Sequence, residues 1–165
     1  MGYSASKPVL HGSAFVHKDA VVVGDVVLSG NVSVWPGAVL RAERGSIRVG
    51  EGSNIQGRCI MQVSGRGKET VVGRYSSIGE GVVLSSCKIG DHCVIGKGAV
   101  ILEDAIVGDW SIVGEGSLVT KCCTIPSRSL VFGAPACVQG GVDDHGLSHI
   151  RDLAQKNLRL MRKYH

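Results

Sequence analysis

Aliphatic residues recur every six positions along most of the chain, and the residue four places after each of them is usually small. In the longest run the units begin at Ile89, Ile95, Ile101, Val107, Val113, Val119, Ile125 and Val131. Earlier stretches, which begin near Val23, Val49 and Val72, repeat the pattern. A period of six is produced neither by an α-helix, which repeats every 3.6 residues, nor by an alternating strand. An internal repeat of this kind indicates a solenoid.

Each six-residue unit predicts a short strand followed by a turn. The aliphatic residue points inward, the Gly that often follows it allows the tight corner, and the small fifth residue fits beside the next aliphatic. Three units close a triangular coil, and the coils stack by parallel strand pairing around a column of aliphatic side chains. We therefore predict an all-β solenoid, a parallel β-helix of hexapeptide repeats.

Two segments interrupt the repeat. The polar stretch 62–69 predicts a loop that protrudes between coils. After Pro135 the repeat stops, and beyond Gly141 apolar residues recur at three- and four-residue spacing, which predicts an amphipathic α-helix. The predicted organisation is an N-terminal extension (1–15), a β-helix domain (16–139), and a linker with the C-terminal helix (140–165). We expect the helix to lie along the solenoid flank or against a neighbouring chain, and a basic helix at a membrane surface is the alternative.

Composition and charge limit the partners of the protein. Aromatic residues make up only 4% of the chain and 24 residues are Gly, so the core must consist of thin layers of small aliphatic side chains. The net charge of +4 is not gathered into a basic stripe, and no nucleic-acid partner is predicted. No apolar run is long enough to span a membrane. The first residues match a loose myristoylation pattern at Gly2.

The cysteines and histidines give weak chemical signals. The six Cys form no CxxC pair, and no secretory segment precedes them, so we expect reduced thiols in an intracellular compartment. Cys59, Cys93 and Cys123 occupy the small fifth position of their units and are interpreted as core-filling residues. His92 is expected to face solvent. The i, i+4 spacing of His145 and His149 is a weak metal-binding pattern.

Several short motifs carry a more specific signal. They are Val34-Trp35-Pro36, Val39-Leu40-Arg41, Asn54-Ile55-Gln56, Ile125-Pro126 and Gly133-Ala134-Pro135-Ala136. In this order they resemble the γ-class carbonic anhydrases, and the resemblance extends from about Val16 to the C-terminal helix. It implies that the β-helix is left-handed and carries a C-terminal helix. It also implies a trimer in which three His from neighbouring subunits hold zinc.

The positions that correspond to these three His do not hold His in this chain. The resemblance places Gln62, Glu80 and Ser85 there, and only Glu80 is a plausible zinc ligand. Without zinc, nothing lowers the pKa of water from about 15.7 to near 7, so no hydroxide nucleophile is available at neutral pH. We therefore predict no catalytic residues, no bound metal and no cofactor.

Other family positions are kept or changed conservatively. Arg41 and Glu43 stand where the family has Arg-Gly-Asp, whose Arg and acid pair around the subunit interface. The longer Glu side chain puts the geometry of that pair in question. Asn54 and Gln56 match the family and should neighbour the vestigial metal site, but the acid that usually follows is replaced by Gly57.

The favoured hypothesis is a non-catalytic subunit with a structural or assembly role in a trimer. In lacking the metal ligands, this chain resembles the family members found in mitochondrial respiratory complex I. Those subunits form a heterotrimer on the matrix side of the complex. That resemblance implies other γ-carbonic-anhydrase-like subunits, and complex I subunits, as partners. The first alternative is an active homotrimer that binds zinc through Glu80 and atypical ligands. The second is a hexapeptide-repeat acyltransferase, which would need a general base, usually His, at a subunit groove.

Overall fold

Short parallel strands stack into the three faces of a triangular solenoid of about 7 turns in a computed structural model, which describes residues 6–165. The architecture is the predicted left-handed β-helix with one C-terminal helix. The myristoylation pattern at Gly2 lies outside the described residues.

The strands divide among three faces. The first face contains β2 (Phe15–Val16), β4 (Ser33–Val34), β6 (Asn54–Ile55), β9 (Ser77–Ile78), β12 (Val94–Ile95), β15 (Ile112–Val113), β18 (Ser129–Gly133) and the antiparallel β19 (Ala136–Gly141). The second contains β7 (Ile60–Gln62), β10 (Val83–Ser85), β13 (Val100–Ile101) and β16 (Leu118–Val119). The third contains β1 (Val9–Leu10), β8 (Glu69–Val72), β11 (Lys88–Ile89), β14 (Ile106–Val107) and β17 (Thr124–Ile125). The long strands β3 (Val21–Leu28) and β5 (Val39–Val49) turn a corner and contribute to the second and third faces.

Strand register explains the six-residue period. Ile78 pairs with Ile95, which pairs with Val113, which pairs with Val131, so one coil corresponds to three sequence units. These inward side chains are at most 1% exposed. The aliphatic column therefore forms the core that the repeat predicts, and each coil buries its layer against its neighbours.

The structure corrects the role assigned to the glycine that follows the aliphatic residue. The left-handed corner is the fourth position of the unit, as at Gly98 (φ 70°) and His92 (φ 53°). A Cβ on Gly96, the second position, would instead collide with the backbone of Gly114 and Glu115 in the next coil. Glycine is needed at the second position because successive coils approach closely there, and the corner itself accepts larger residues.

The segments outside the regular repeat have defined places. The predicted loop spans residues 63–68, between β7 and β8. Val9 and Leu10 pair with Val27 and Leu28, so the first coil already includes part of the segment 1–15 that the sequence pattern treats as an extension.

Helix α1 (Asp144–Arg162) lies along the first face. Asp143 caps it by accepting a 2.8 Å hydrogen bond from the Gly146 amide. Near its start, Leu147 and Ile150 pack with Val94 of β12. After its end, the Tyr164 ring lies 6.4 Å from Phe15 and 5.7 Å from Trp35, both in the first two coils. The helix therefore runs back along the solenoid, as one of the two expected placements requires. Among residues 6–165, no helix has the length and apolar character needed to cross a membrane.

One corner of the solenoid carries a column of stacked rings. The His92 imidazole lies between Tyr75, at 5.5 Å, and Trp110, at 4.1 Å, with nearly parallel planes. The Arg151 guanidinium of α1 lies 5.1 Å from the Trp110 ring. Partial burial lowers the pKa of His92 below its usual value. His92 therefore lies at an outer corner, as expected, but its neighbours in the stack bury part of the ring.

Candidate functional site

The second face presents a continuous apolar column to the outside of the solenoid. Its members are register neighbours from coil to coil: Val21, Val39, Ile60, Val83, Val100 and Leu118. Val21 is 47% exposed and Ile60 is 42% exposed. The other four side chains are partly exposed, and a contiguous row of aliphatic side chains that reach the surface is typical of an interaction surface.

The other two faces are less available than the second for apolar contact with another chain. Helix α1 covers part of the first face. The third face carries ion pairs on its outer side, with Arg48 2.9 Å from Asp25 and Lys88 3.3 Å from Glu69. The second face is thus the side of the solenoid best suited to apolar contact with another chain.

Two of the three vestigial ligand positions lie together on this second face. Gln62 and Ser85 are register neighbours on β7 and β10, and the Gln62 Nε2 lies 3.5 Å from the Ser85 Oγ. Gln62 is also the register neighbour of Arg41 on β5. The side chains of Gln62 and Ser85 therefore face each other across adjacent coils and make one long hydrogen bond.

Arg41 and Glu43 form an ion pair within the chain. The Arg41 Nε and Nη2 donate to the two carboxylate oxygens of Glu43 at 3.0 and 3.1 Å. The hydrogen bonds and the charge of Arg41 lower the pKa of the Glu43 carboxyl. The two residues and Gln62 line a cavity of about 200 Å³. The longer Glu side chain thus reaches Arg41 of its own chain, and a role of the pair at the subunit interface stays a prediction.

Glu80 lies on the other side of this arrangement. It is exposed at the corner that leaves the first face, and it lines a cavity of about 260 Å³ beneath α1 together with Asn54, Gln56 and His149. Gln62 and Ser85 therefore line one surface of the chain, and Glu80 lines another. A site that used all three positions would have to combine surfaces of two neighbouring chains, as the family resemblance implies.

Asn54 and Gln56 belong to a polar network under the helix. Asn54 donates to the Ser77 Oγ at 2.9 Å, and the Gln56 Nε2 donates to the Asn54 Oδ1 at 2.7 Å and to the Asn157 Oδ1 at 3.1 Å. Asn157 in turn donates to the Leu153 carbonyl. This network fixes the Gln56 amide at the edge of the cavity that Glu80 lines.

Sequence reasoning missed Asn157. The residue is only 9% exposed, and it lies on the apolar side of α1 beside Ala154, Leu158 and Met161. A polar residue at a position where the helical pattern requires an apolar one signals a buried hydrogen bond.

The donor groups do not fit zinc. The Gln62 amide and the Ser85 hydroxyl are neutral and weakly coordinating, which leaves Glu80 as the one charged donor of the set. Within the part of the chain that the structure describes, no three His, Cys, Asp or Glu side chains are grouped so that they could hold a metal ion. The side chains of His145 and His149 are exposed, and among the described residues they belong to no group of three donors that could hold a metal ion.

Four of the six cysteines likewise serve the core, while Cys122 and Cys137 are exposed. Cys59 and Cys93 are fully buried, and burial raises the pKa of each thiol to about 11. Cys87 is also buried, with a pKa raised to about 12. Cys123 is half-buried and packs against the same core. Protonated thiols of this kind are poor nucleophiles and poor metal ligands at neutral pH, which agrees with their interpretation as core-filling residues.

Comparison with known proteins agrees with this architecture. Residues 86–121 match the family model described as "Bacterial transferase hexapeptide (six repeats)". A protein of Methanocaldococcus jannaschii described as "Probable carbonic anhydrase" is 43% identical over 145 residues, which cover 88% of this chain and 91% of that protein. The carnitine operon protein CaiE of Escherichia fergusonii is 39% identical over 150 residues, or 89% of this chain and 76% of that protein.

A solved structure shows the same similarity in three dimensions. A hexapeptide transferase family protein from Anaplasma phagocytophilum superimposes with a TM-score of 0.94 and 29% sequence identity, over 99% of this chain and 96% of that one. The repeat, the motifs and these relatives lead to one conclusion. The chain belongs to the γ-class carbonic anhydrase-like family of hexapeptide-repeat proteins.

Proposed function

We propose that this protein is a non-catalytic subunit of a trimer and that its role is structural. The observation that carries the proposal is the set of side chains at the three ligand positions. Gln62 and Ser85 are neutral and face each other at 3.5 Å, while Glu80 lines a different surface. Such a set provides neither the three ligands nor the hydroxide nucleophile that metal-dependent hydration needs.

The apolar column of the second face supports association. Hexapeptide-repeat β-helix proteins commonly form trimers, and the column provides an aliphatic surface that runs through six successive coils. Burial of exposed aliphatic area stabilises an interface by about 25 cal/mol per Å² before the costs of association.

A mixed trimer follows from the shared geometry of the site. Each interface would combine Gln62 and Ser85 of one chain with the position of Glu80 in the next. One copy of this chain therefore removes the ligands from both interfaces it touches, and a complete site survives only between two other subunits. We place this heterotrimer on the matrix side of mitochondrial respiratory complex I, and that placement rests on the family resemblance alone.

An acyltransferase is the second candidate, because a hexapeptide transferase family protein shares the fold over 99% of this chain. Enzymes of this type need a general base at a subunit groove. The strands of the second face, where such a groove would form, carry no His among the described residues. This candidate is therefore the weaker one.

Zinc content and native mass test the structural role directly. Protein purified in its native assembly should form a trimer that holds less than one zinc per interface. Native mass spectrometry gives the composition of the trimer, and elemental analysis of the same sample gives the zinc. A homotrimer of this chain with one zinc at every interface would contradict the proposal and would restore the hypothesis of catalysis through Glu80.

The substitution Ile60→Asp should dissociate the trimer without unfolding the chain. The new carboxylate would have to be buried without a partner in the interface, which costs several kcal/mol at each contact. The expected result is a shift to the mass of a monomer in light scattering after size exclusion, with an unchanged far-UV circular dichroism spectrum.

The matched control is Ile106→Asp on the third face. Ile106 is 43% exposed and Ile60 is 42% exposed, so the two changes perturb a single chain to a similar extent. The Ile106 variant should remain trimeric. Dissociation of both variants, or of the Ile106 variant alone, would show that the second face is not the interface.

A further inference from the structure

A groove of about 670 Å³ lies beside the bend of β5. Its walls come from β3, from residues 42–46 of β5 and from the end of the 63–68 loop. The backbones approach closely, since a Cβ on Gly24 would overlap the Ala42 carbonyl and a Cβ on Gly45 would overlap the Lys68 carbonyl. Three chain segments thus form a concave surface that contains none of the three vestigial ligand positions.

The acids that line the groove are already neutralised. Each has a cationic partner at its side: Asp25 with Arg48 at 2.9 Å, Glu43 with Arg41 at 3.0 Å, and Glu69 with Lys88 at 3.3 Å. The groove therefore holds little uncompensated negative charge.

Two guanidinium groups of the groove are not neutralised in this way. Arg44 and Arg66 both line it, and across residues 6–165 neither has a carboxylate oxygen within 4.0 Å. Residues 1–5 contain no Asp or Glu that could supply one. Arg44 does contribute to the lowered pKa of Glu43, but the hydrogen bonds of that carboxylate go to Arg41.

The loop that carries Arg66 is anchored at both sides. Lys68 lies 3.2 Å from Glu103 and 3.1 Å from Asp104. The Ser64 amide donates to the Ser86 Oγ at 2.7 Å. Because both flanks are held, the loop presents Arg66 to the groove from a defined position, beside the β5 segment that carries Arg44.

We propose that this groove binds an oxyanion, the phosphate or carboxylate group of a small acidic molecule, through Arg44 and Arg66. Guanidinium groups bind such anions through paired, charge-assisted hydrogen bonds. Two of them that line the same concave surface can both contribute hydrogen bonds to one anion. The site does not depend on the structural role proposed above, because it uses neither the second-face column nor the vestigial ligand positions.

Titration calorimetry on the full-length protein tests the site. The probes are inorganic pyrophosphate and citrate, which separate phosphate from carboxylate as the preferred group, at low ionic strength. The double variant Arg44→Gln, Arg66→Gln should bind the preferred probe on the order of tenfold or more weakly than the wild type. The matched control, Arg159→Gln with Arg162→Gln, removes the same charge from exposed positions of α1 and should bind as the wild type does.

Two results would overturn the proposal. One is the absence of saturable binding of either probe by the wild type. The other is an equal loss in the control variant, which would mean that only the overall charge attracts the anion. Unchanged melting temperatures for both variants would confirm that the substitutions act on binding and not on folding.

Discussion

The triple variant Gln62→His, Glu80→His, Ser85→His should bind about one zinc ion per chain in a homotrimer. The wild-type donors are two weak neutral groups and one carboxylate, and the variant replaces them with three imidazoles at the positions that the family uses. Gln62 and Ser85 already face each other on adjacent coils, so their replacement places two imidazoles side by side. Elemental analysis after dialysis against a weak chelator measures the gain.

The control for this experiment replaces Glu80 with a neutral residue that coordinates poorly. The variant Gln62→His, Ser85→His, Glu80→Gln has two imidazoles and lacks the third donor, so its zinc should be lost to the chelator. Adding Ile60→Asp to the triple His variant should also abolish stoichiometric zinc, because Glu80 lies on a different surface from Gln62. Retention of zinc by that monomeric variant would show that the three positions can meet within one chain.

Leu84→Ala should lower the free energy of unfolding by roughly 2–5 kcal/mol. Leu84 is fully buried and stacks between Met61 and Ile101 in the neighbouring coils. Each core layer of a solenoid contacts only the layers beside it, so the cavity cannot be filled by a side chain from elsewhere. Equilibrium unfolding in urea, at equal chain concentrations, measures the change.

Ile106→Ala is the matched control for the core substitution. It removes a similar aliphatic group, but the Ile106 side chain points away from the core and is 43% exposed. We expect a loss below about 1 kcal/mol. Equal losses at the two positions would mean that the inward and outward sides of the strands had been assigned incorrectly.

The period of six was sufficient to predict the solenoid and its core. It assigned residues such as Ile95 and Val113 to the inside because the large aliphatic residue of each unit recurs at the same position. The period could not reveal why Gly96 is needed, since the close approach of Gly114 in the next coil is a contact between residues distant in the sequence. The outward column could have been recognised in the sequence. Val83 and Val100 each come directly before a core residue, and two adjacent apolar residues in a strand indicate that both sides of the strand make apolar contacts.

The arrangement of the candidate site was harder to predict from the sequence than the fold. The resemblance located Gln62, Glu80 and Ser85 but not the surfaces they line, which depend on where the corner after β9 falls. The hydrogen bond from Gln56 to Asn157 joins residues 101 positions apart, and the helix pattern assigned no role to Asn157. The ion pairs of Lys68 and the place of Arg66 beside the groove depend on the fold of an irregular loop, for which the repeat supplies no register.

The course of helix α1 changes how the solenoid can fold. In a repeat protein whose coils meet only their nearest neighbours, the chain can gain structure one coil at a time and fray from either end. Here the last segment of the chain returns to the first coils, where Tyr164 approaches Phe15 and Trp35. The early coils reach their full set of contacts only after the segment that carries Tyr164 has been synthesised, and we expect the two ends of the array to melt together as one cooperative unit.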